Sequence, residues 1–389
     1  TLECMRRLGV PIQFYESDLL IHGRGLRGYQ PPEEPAQLNV GNSGSTIRMI
    51  CGLLAGQGFS SVVDGDESIR RRPMSRIIEP LSLMGARIEA REGGLAPLKI
   101  HGSELLPVHY TSRVASAQVK TCVLFAGMYA DGLTTFVEPG RSRDHTELML
   151  NVFGAHLQAS IDGELSIEGG IELKPVDYHV PGDLSSAAFF LAAATLLRDS
   201  ELLINDVSLN PTRTAFLEVM NRLGANIAIE NLRTIHGESR GDLRATTSRL
   251  EAERHGAWLG GDIIPNIIDE LPILAVAATQ VEGRVEVREA RELRVKESDR
   301  LSTVAAGIRA LGGRIDEFED GFAIEGPQTL TGGRVETKGD HRIAMAFTIA
   351  GLIAEGETVI VDSDCAGVSF PEFYDLIAAT SREDTIEHE

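Results

Sequence analysis

One short pattern, written five times, constrains the fold more than any other feature of this chain. Helically spaced apolar residues run into a glycine and then an extended segment at Leu8-Gly9-Val10, Met84-Gly85-Ala86, Phe153-Gly154-Ala155, Leu223-Gly224-Ala225 and Leu311-Gly312-Gly313. A glycine there ends a helix because it alone enters the left-handed conformation at no steric cost. The five glycines fall roughly 70 to 90 residues apart, a longer period than that of common solenoids.

A second pattern keeps step with the first. Gly41-Asn42-Ser43-Gly44-Ser45-Thr46-Ile47-Arg48 opens an apolar run that closes at Gly58. Comparable openings stand at Ser116-Ala117-Gln118-Val119-Lys120, Gly182-Asp183-Leu184-Ser185-Ser186, Asp269-Glu270-Leu271-Pro272 and Gly339-Asp340-His341-Arg342. Each is followed by a β-rich stretch: Ser60–Val63, Leu133–Val137, Leu202–Ile204, Val285–Val287 and Thr358–Val361. Each repeat thus reads helix, strand, helix, further strands. The helix ending at Gly9 belongs to a repeat whose first helix would precede Thr1, and a second helix at Pro371–Ala379 completes a sixth repeat. The pattern therefore expects about one helix and its flanking strands ahead of Thr1; the other reading is an atypical capping repeat at a natural start. Six repeats of this kind predict an α/β protein of two domains, three repeats in each. The break falls in Lys174–Pro181, where Lys174-Pro175 and Val180-Pro181 interrupt regular structure, giving domains 1–178 and 179–389.

Composition narrows the function. A chain of 389 residues has room for two ordinary domains, and no apolar run approaches the roughly 18 residues that span a bilayer. The net charge of −20 argues against nucleic acid or an anionic membrane as partner. Cys4, Cys51, Cys122 and Cys365 lack CxxC spacing, which opposes a disulfide framework or a zinc site. With no leader segment in view, a cytoplasmic setting is the default, and a monomer is expected. No GxxxxGK[ST] or HExxH string occurs, so phosphate-loop nucleotide chemistry and zinc hydrolytic chemistry lack support.

In this acidic chain, basic residues nevertheless gather near helix starts: Arg48, Arg70-Arg71-Arg72, Arg113 with Lys120, Arg141, Arg143, Arg294, Lys296, Arg300, His341 and Arg342. Small polar residues at a helix start leave its N–H groups open to an anion, and arginine forks suit carboxylate and phosphate. These starts are expected to converge on one anion cleft between the domains. Arg294-Val295-Lys296-Glu297-Ser298-Asp299-Arg300 mixes acids and bases within two helical turns. It is either a surface salt-bridge ladder or a site where cations hold an anion while Glu297 exchanges a proton. Asp269, at the start of an apolar helix, is either an N-cap or a general base.

Gly41-Asn42-Ser43-Gly44-Ser45, Arg71-Arg72-Pro73-Met74, Ser116-Ala117-Gln118-Val119-Lys120, Arg294–Arg300, Asp340-His341-Arg342-Ile343-Ala344-Met345 and Ser369-Phe370-Pro371-Glu372, taken in order along the whole chain, resemble the 5-enolpyruvylshikimate-3-phosphate synthase family. The resemblance implies the two-domain enolpyruvyl transferase fold, an inside-out α/β barrel of βαβαββ repeats. It implies transfer of the enolpyruvyl group of phosphoenolpyruvate to the 5-hydroxyl of shikimate 3-phosphate, on the way to chorismate and the aromatic amino acids, with no metal or organic cofactor. By motif, Ser116, Ala117, Gln118, Arg143, Asp269 and Lys296 would hold shikimate 3-phosphate, and Asp269 would also take its hydroxyl proton. Glu297 would serve the methylene carbon of phosphoenolpyruvate, and Gly44, Arg72, Gln118, Arg300 and Arg342 would clamp that substrate. Asn42, Arg48 and His341 are further candidates near these groups.

Two departures stand out. The family's PGDKSxSHR motif is missing, its nearest likeness being Pro181–Ser186, so the chain as written is expected to fold incompletely at one domain and turn over poorly. Val368 stands where many members carry a phosphoenolpyruvate-binding lysine. In the family, Gly44 lines the pyruvyl pocket, and the complete protein is expected to bind glyphosate. The competing assignments are the sister transferase that acts on UDP-N-acetylglucosamine, and a non-catalytic anion-binding remnant of the fold.

Overall fold

The structure, a computed structural model, describes residues 1–253 and 256–381. It separates into two compact lobes, Thr1–Tyr178 and the chain from His179 on. Residues 174–181, around that division, form no helix or strand, and a single bridge follows at Gly182.

The first lobe begins with α1 (Leu2–Arg7) and an antiparallel hairpin of β1 (Ile12–Tyr15) and β2 (Asp18–Ile21). A full repeat follows: β3 (Ala36–Asn39), α2 (Gly44–Ala55), β4 (Ser60–Asp64), α3 (Glu67–Arg71), α4 (Ser75–Leu83), β5 (Arg87–Arg91) and β6 (Leu95–His101). Its sheet runs β3-β4-β6-β5, with β3 parallel to β4 and the other pairs antiparallel. The next repeat copies it: β7 (His109–Thr111), α5 (Ala117–Gly127), β8 (Leu133–Val137), α6 (His145–Val152), β9 (Leu157–Ala159) and β10 (Leu165–Glu168), in the order β7-β8-β10-β9.

The second lobe opens with α7 (Leu184–Leu196), β11 (Glu201–Ser208), α8 (Ala215–Arg222), β12 (Asn226–Ile235) and β13 (Glu238–Thr246). The leading strand of this repeat shrinks to one parallel bridge between Gly182 and Val207. The complete pattern returns in β14 (Ala257–Leu259), α9 (Ile264–Ile267), α10 (Leu271–Ala278), β15 (Gly283–Val287), α11 (Arg300–Ala310), β16 (Asp316–Phe318) and β17 (Gly321–Gly326), ordered β14-β15-β17-β16. The last repeat supplies β18 (Arg334–Glu336), α12 (His341–Ile353), β19 (Val359–Val361) and α13 (Phe373–Thr380), with β18 parallel to β19.

The helix-ending glycines behave as their sequence demands. Gly9, Gly85, Gly154, Gly224 and Gly312 all have φ between +76° and +91°. After each, the next N–H reaches back to close a Schellman turn: Val10 to Met5 O, Ala86 to Leu81 O, Ala155 to Leu150 O, Ala225 to Met220 O and Gly313 to Ile308 O, at 2.8–3.0 Å. The first helix of each repeat is the inner one. Every residue of α10 is buried, and α7, α10 and α12 each pack on the other two. Helices apolar all round must be buried on every side, and these pack on one another and on strands, α7 on β11 and β13, α10 on β17 and α12 on β19. In the first lobe α2 meets α5 so closely that a Cβ on Gly52 would lie 2.1 Å from the Cys122 carbonyl oxygen.

Two local expectations change. The Arg294–Arg300 stretch is not one helix: a 3-10 turn spans Arg291–Val295, and α11 starts only at Arg300, capped by Asp299. The apolar helix begins at Leu271 with Glu270 in the N-cap position, which leaves Asp269 in the turn before it.

Candidate active site

In the first lobe the start of α2, the start of α5 and Arg72 come together. Ser43 caps α2 by accepting the Thr46 N–H at 3.1 Å. Nearly buried Arg48, one turn on, donates to Gln118 Oε1 at 2.6 Å, and Gln118 donates in turn to Ser45 Oγ at 2.9 Å. Arg72, also nearly buried, donates to Ser68 Oγ at 3.1 Å. Gly44 lies against both guanidiniums: a Cβ built on it would sit 2.7 Å from Arg72 Nη1 and 3.2 Å from Arg48 Nη1. Asn42 is turned to Asp66, the cap of α3, at 2.7 Å. Ser116 holds the N-cap place of α5 without a side-chain capping bond, Ala117 follows as its first residue, and half-buried Arg143 stands two residues ahead of α6.

Several of the expected anion-binding cations are engaged elsewhere. Lys120, only 1% exposed, is buried between Glu138 (3.1 Å) and Glu147 (2.7 Å). Arg70 pairs with Asp64, Arg113 with Glu79 and Arg141 with Asp144, while Arg71 bonds the Glu67 carbonyl. Arg294 braces its own loop through Asp299, Ser302, Glu317 and the carbonyls of Phe318 and Glu319. Each had a nearby carboxylate or carbonyl that spacing between basic residues does not reveal.

The second lobe builds a denser cluster. Arg300, 1% exposed, faces three carboxylates: Asp340 (Nε to Oδ2, 2.8 Å), Glu297 (Nη2 to Oε2, 2.6 Å) and Asp269 (Nη1 to Oδ1, 3.4 Å). Lys296 Nζ lies 3.5 Å from the same Asp269 oxygen, and Arg342 donates to the Asp269 backbone carbonyl at 3.2 Å. Asp340 is fully buried, caps α12 through the Arg342 N–H at 3.1 Å, and accepts from Ser298 at 3.0 Å. Burial works against its charge, yet Arg300 holds the carboxyl below the usual aspartate range. Burial, joined by Arg342, pushes half-buried His341 down to about 4, so its ring is neutral at pH 7. Val368 is exposed at the end of the 3-10 turn Ser363–Val368.

Sequence reasoning passed over Arg213, although its place could have shown it. It stands two residues ahead of α8, as Arg143 does ahead of α6, and Arg72 three ahead of α4. That Asp340, a helix cap, also neutralises Arg300 is a tertiary fact that its motif does not show.

A cation-lined pair of helix starts in one lobe, and carboxylates held by Lys296, Arg300 and Arg342 in the other, suit chemistry on small anions. The family model of EPSP synthase (3-phosphoshikimate 1-carboxyvinyltransferase) matches residues 1–377. The chain belongs to the EPSP synthase family. It is 50% identical over 388 residues to the 3-phosphoshikimate 1-carboxyvinyltransferase of Salinibacter ruber (strain DSM 13855 / M31), covering 98% of this chain and 88% of the relative. With the enzyme of the same name from Thermoanaerobacter sp. (strain X514) it shares 46% over 374 residues, 96% of this chain and 86% of the relative. EPSP synthase from Acinetobacter baumannii superposes with a TM-score of 0.85 at 37% identity, covering 98% of this chain and 86% of that one. As an EPSP synthase family member the chain is a transferase with the enolpyruvyl transferase fold, and the aminosugar alternative is not favoured. Among the described residues no helix is long and apolar enough to cross a membrane, and no cluster of three His, Cys, Asp or Glu could hold a metal.

Proposed function

We propose that the chain transfers the enolpyruvyl group of phosphoenolpyruvate to the 5-hydroxyl of shikimate 3-phosphate, releasing phosphate, with the residues of the two clusters in distinct roles. The carrying observation is the linkage of these residues: Lys296, Arg300 and Arg342 all reach Asp269, and Arg300 also pairs with Glu297. Asp269 takes the hydroxyl proton as the oxygen attacks C2 of phosphoenolpyruvate. Glu297 gives a proton to C3, forming a methyl group on a tetrahedral carbon. Glu297 then takes a proton back, the bond from C2 to the phosphate oxygen breaks, and phosphate leaves with the proton that Asp269 had taken, which restores the base. The reaction needs a base for an alcohol, an acid for a vinyl carbon and fixed positive charge for two anions.

Arg72, Arg300 and Arg342, with Gly44 and Gln118, hold phosphoenolpyruvate; Ser116, Ala117, Gln118, Arg143 and Lys296 hold shikimate 3-phosphate. Asn42, Arg48 and His341 support them: Arg48 orients Gln118, Asn42 steadies Asp66, and neutral His341 adds no competing charge. Glu297 is paired with Arg300. A substrate anion that takes over Arg300 releases Glu297, and the added negative charge favours proton uptake by it. The reading further expects a cytoplasmic monomer.

Phosphate release from the two substrates tests the roles. Asp269→Asn and Glu297→Gln should each lower kcat about 100- to 10,000-fold with both KM values little changed. Either variant turning over at the parent rate would contradict its assignment.

A further inference from the structure

Beside the Asp269 carboxylate lies a cation that the scheme above does not use. Arg213 is 7% exposed. Its Nη2 donates to Ser185 Oγ and, at 3.3 Å, to Asp183 Oδ1, and lies 3.6 Å from Glu270 Oε1. Ser185 in turn donates to Glu270. Nη1 has no hydrogen-bond partner, and it points at Asp269 Oδ2 from 3.9 Å. The two oxygens of Asp269 are thus approached by different cations: Lys296 and Arg300 at Oδ1, Arg213 at Oδ2. A buried guanidinium N–H left unpaired is unfavourable, and a modest turn of the Asp269 carboxylate would satisfy it.

We propose that Arg213 is a positioning residue for the transfer reaction: anchored by Ser185, Asp183 and Glu270, it holds Asp269 Oδ2 so that Oδ1 presents to the acceptor hydroxyl. This rests on the reading of Asp269 as the base. The division of labour has a physical motive. Once substrate anions draw Arg300 and Lys296, Asp269 loses the partners at Oδ1, and the Arg213 contact at Oδ2 keeps the carboxylate from swinging away. A base held in place by a supporting group with its own locked hydrogen bonds is more effective than a mobile one. Among the charges facing Asp269 are those of Arg213, Lys296 and Arg300, with Arg342 at its backbone; Glu270 and Asp183 share Arg213, and Glu297 and Asp340 share Arg300.

The test compares Arg213→Gln and Arg213→Lys in the full-length protein with both substrates. Arg213→Gln should lower kcat about 10- to 100-fold while leaving both KM values near the parent's. Loss of a cation beside Asp269 should also move the acid limb of kcat/KM toward higher pH, and Arg213→Lys, which keeps the charge, should recover part of both effects. A variant that melts like the parent but shows unchanged kcat and an unmoved acid limb would overturn the proposal. So would a raised KM with parental kcat, which would make Arg213 a substrate ligand. If Arg213→Gln does not fold, Arg213→Lys alone decides, through its pH profile. Asp269→Asn measured in parallel separates the two readings: retained turnover there would refute the base assignment, whatever Arg213 does.

Discussion

Gly44 and Arg72 are in contact across the start of α2: a methyl group on the glycine would sit 2.7 Å from Arg72 Nη1. No side-chain carbon tolerates that distance, so Gly44→Ala must displace the guanidinium. With Arg72 as a phosphoenolpyruvate ligand, the displacement should raise the KM for phosphoenolpyruvate about tenfold, the equivalent of one weakened charge-assisted hydrogen bond. Glyphosate inhibition should weaken in the same variant. Steady-state kinetics at saturating shikimate 3-phosphate checks both, and an unchanged KM with unchanged inhibition would show that Arg72 does not serve that substrate.

Lys120 supplies the opposite case, a cation within a candidate anion-binding motif that is buried between two carboxylates. It neutralises Glu138 and Glu147 beneath α5 and α6. Lys120→Met leaves buried Glu147 without its cation and Glu138 with only its Ser142 bonds, and should destabilise the fold by about 3 kcal/mol. The molecules that remain folded should keep the parental KM for shikimate 3-phosphate. Denaturant melts and kinetics on the soluble fraction distinguish this from a substrate-binding role, which would raise KM without a loss of stability.

His341 gives stability a pH dependence with a definite sign. Its folded pKa of about 4 lies below the ordinary histidine value, so the unfolded chain binds its proton first as the pH drops. Stability from this residue is therefore complete above about pH 6.5 and is lost as the pH falls toward 4, with a slope approaching about 1.4 kcal/mol per pH unit. His341→Asn should flatten the stability profile between those limits. A parental slope in the variant would show that other groups carry it.

The sequence revealed the repeats because their punctuation is local. Gly85 or Gly224 must adopt a positive φ wherever the neighbouring elements pack, so the helix ends could be found without any tertiary knowledge. The inner helices were legible for a similar reason, α10 being apolar on every face. What stayed hidden depends on contacts distant in sequence. Nothing near Lys120 announces Glu138 and Glu147, and nothing near Arg300 announces Asp340, forty residues away. The 3-10 turn before α11 was missed because acids and bases alternating through Arg294–Arg300 satisfy helical spacing as well as they satisfy a loop. Motif resemblance gave candidate roles to Asp269 and Glu297 where periodicity left them open.

The most direct test of the account follows the proton assigned to Glu297. With both substrates in deuterium oxide, the parent enzyme should place deuterium in the vinyl methylene of the product, because a methyl group forms at C3 and then loses a proton. Mass spectrometry or proton NMR of product recovered at partial conversion reads the label. Glu297→Gln should abolish the exchange together with turnover. Deuterium entering the methylene at the parental rate in Glu297→Gln would contradict the assignment and require another acid at that carbon.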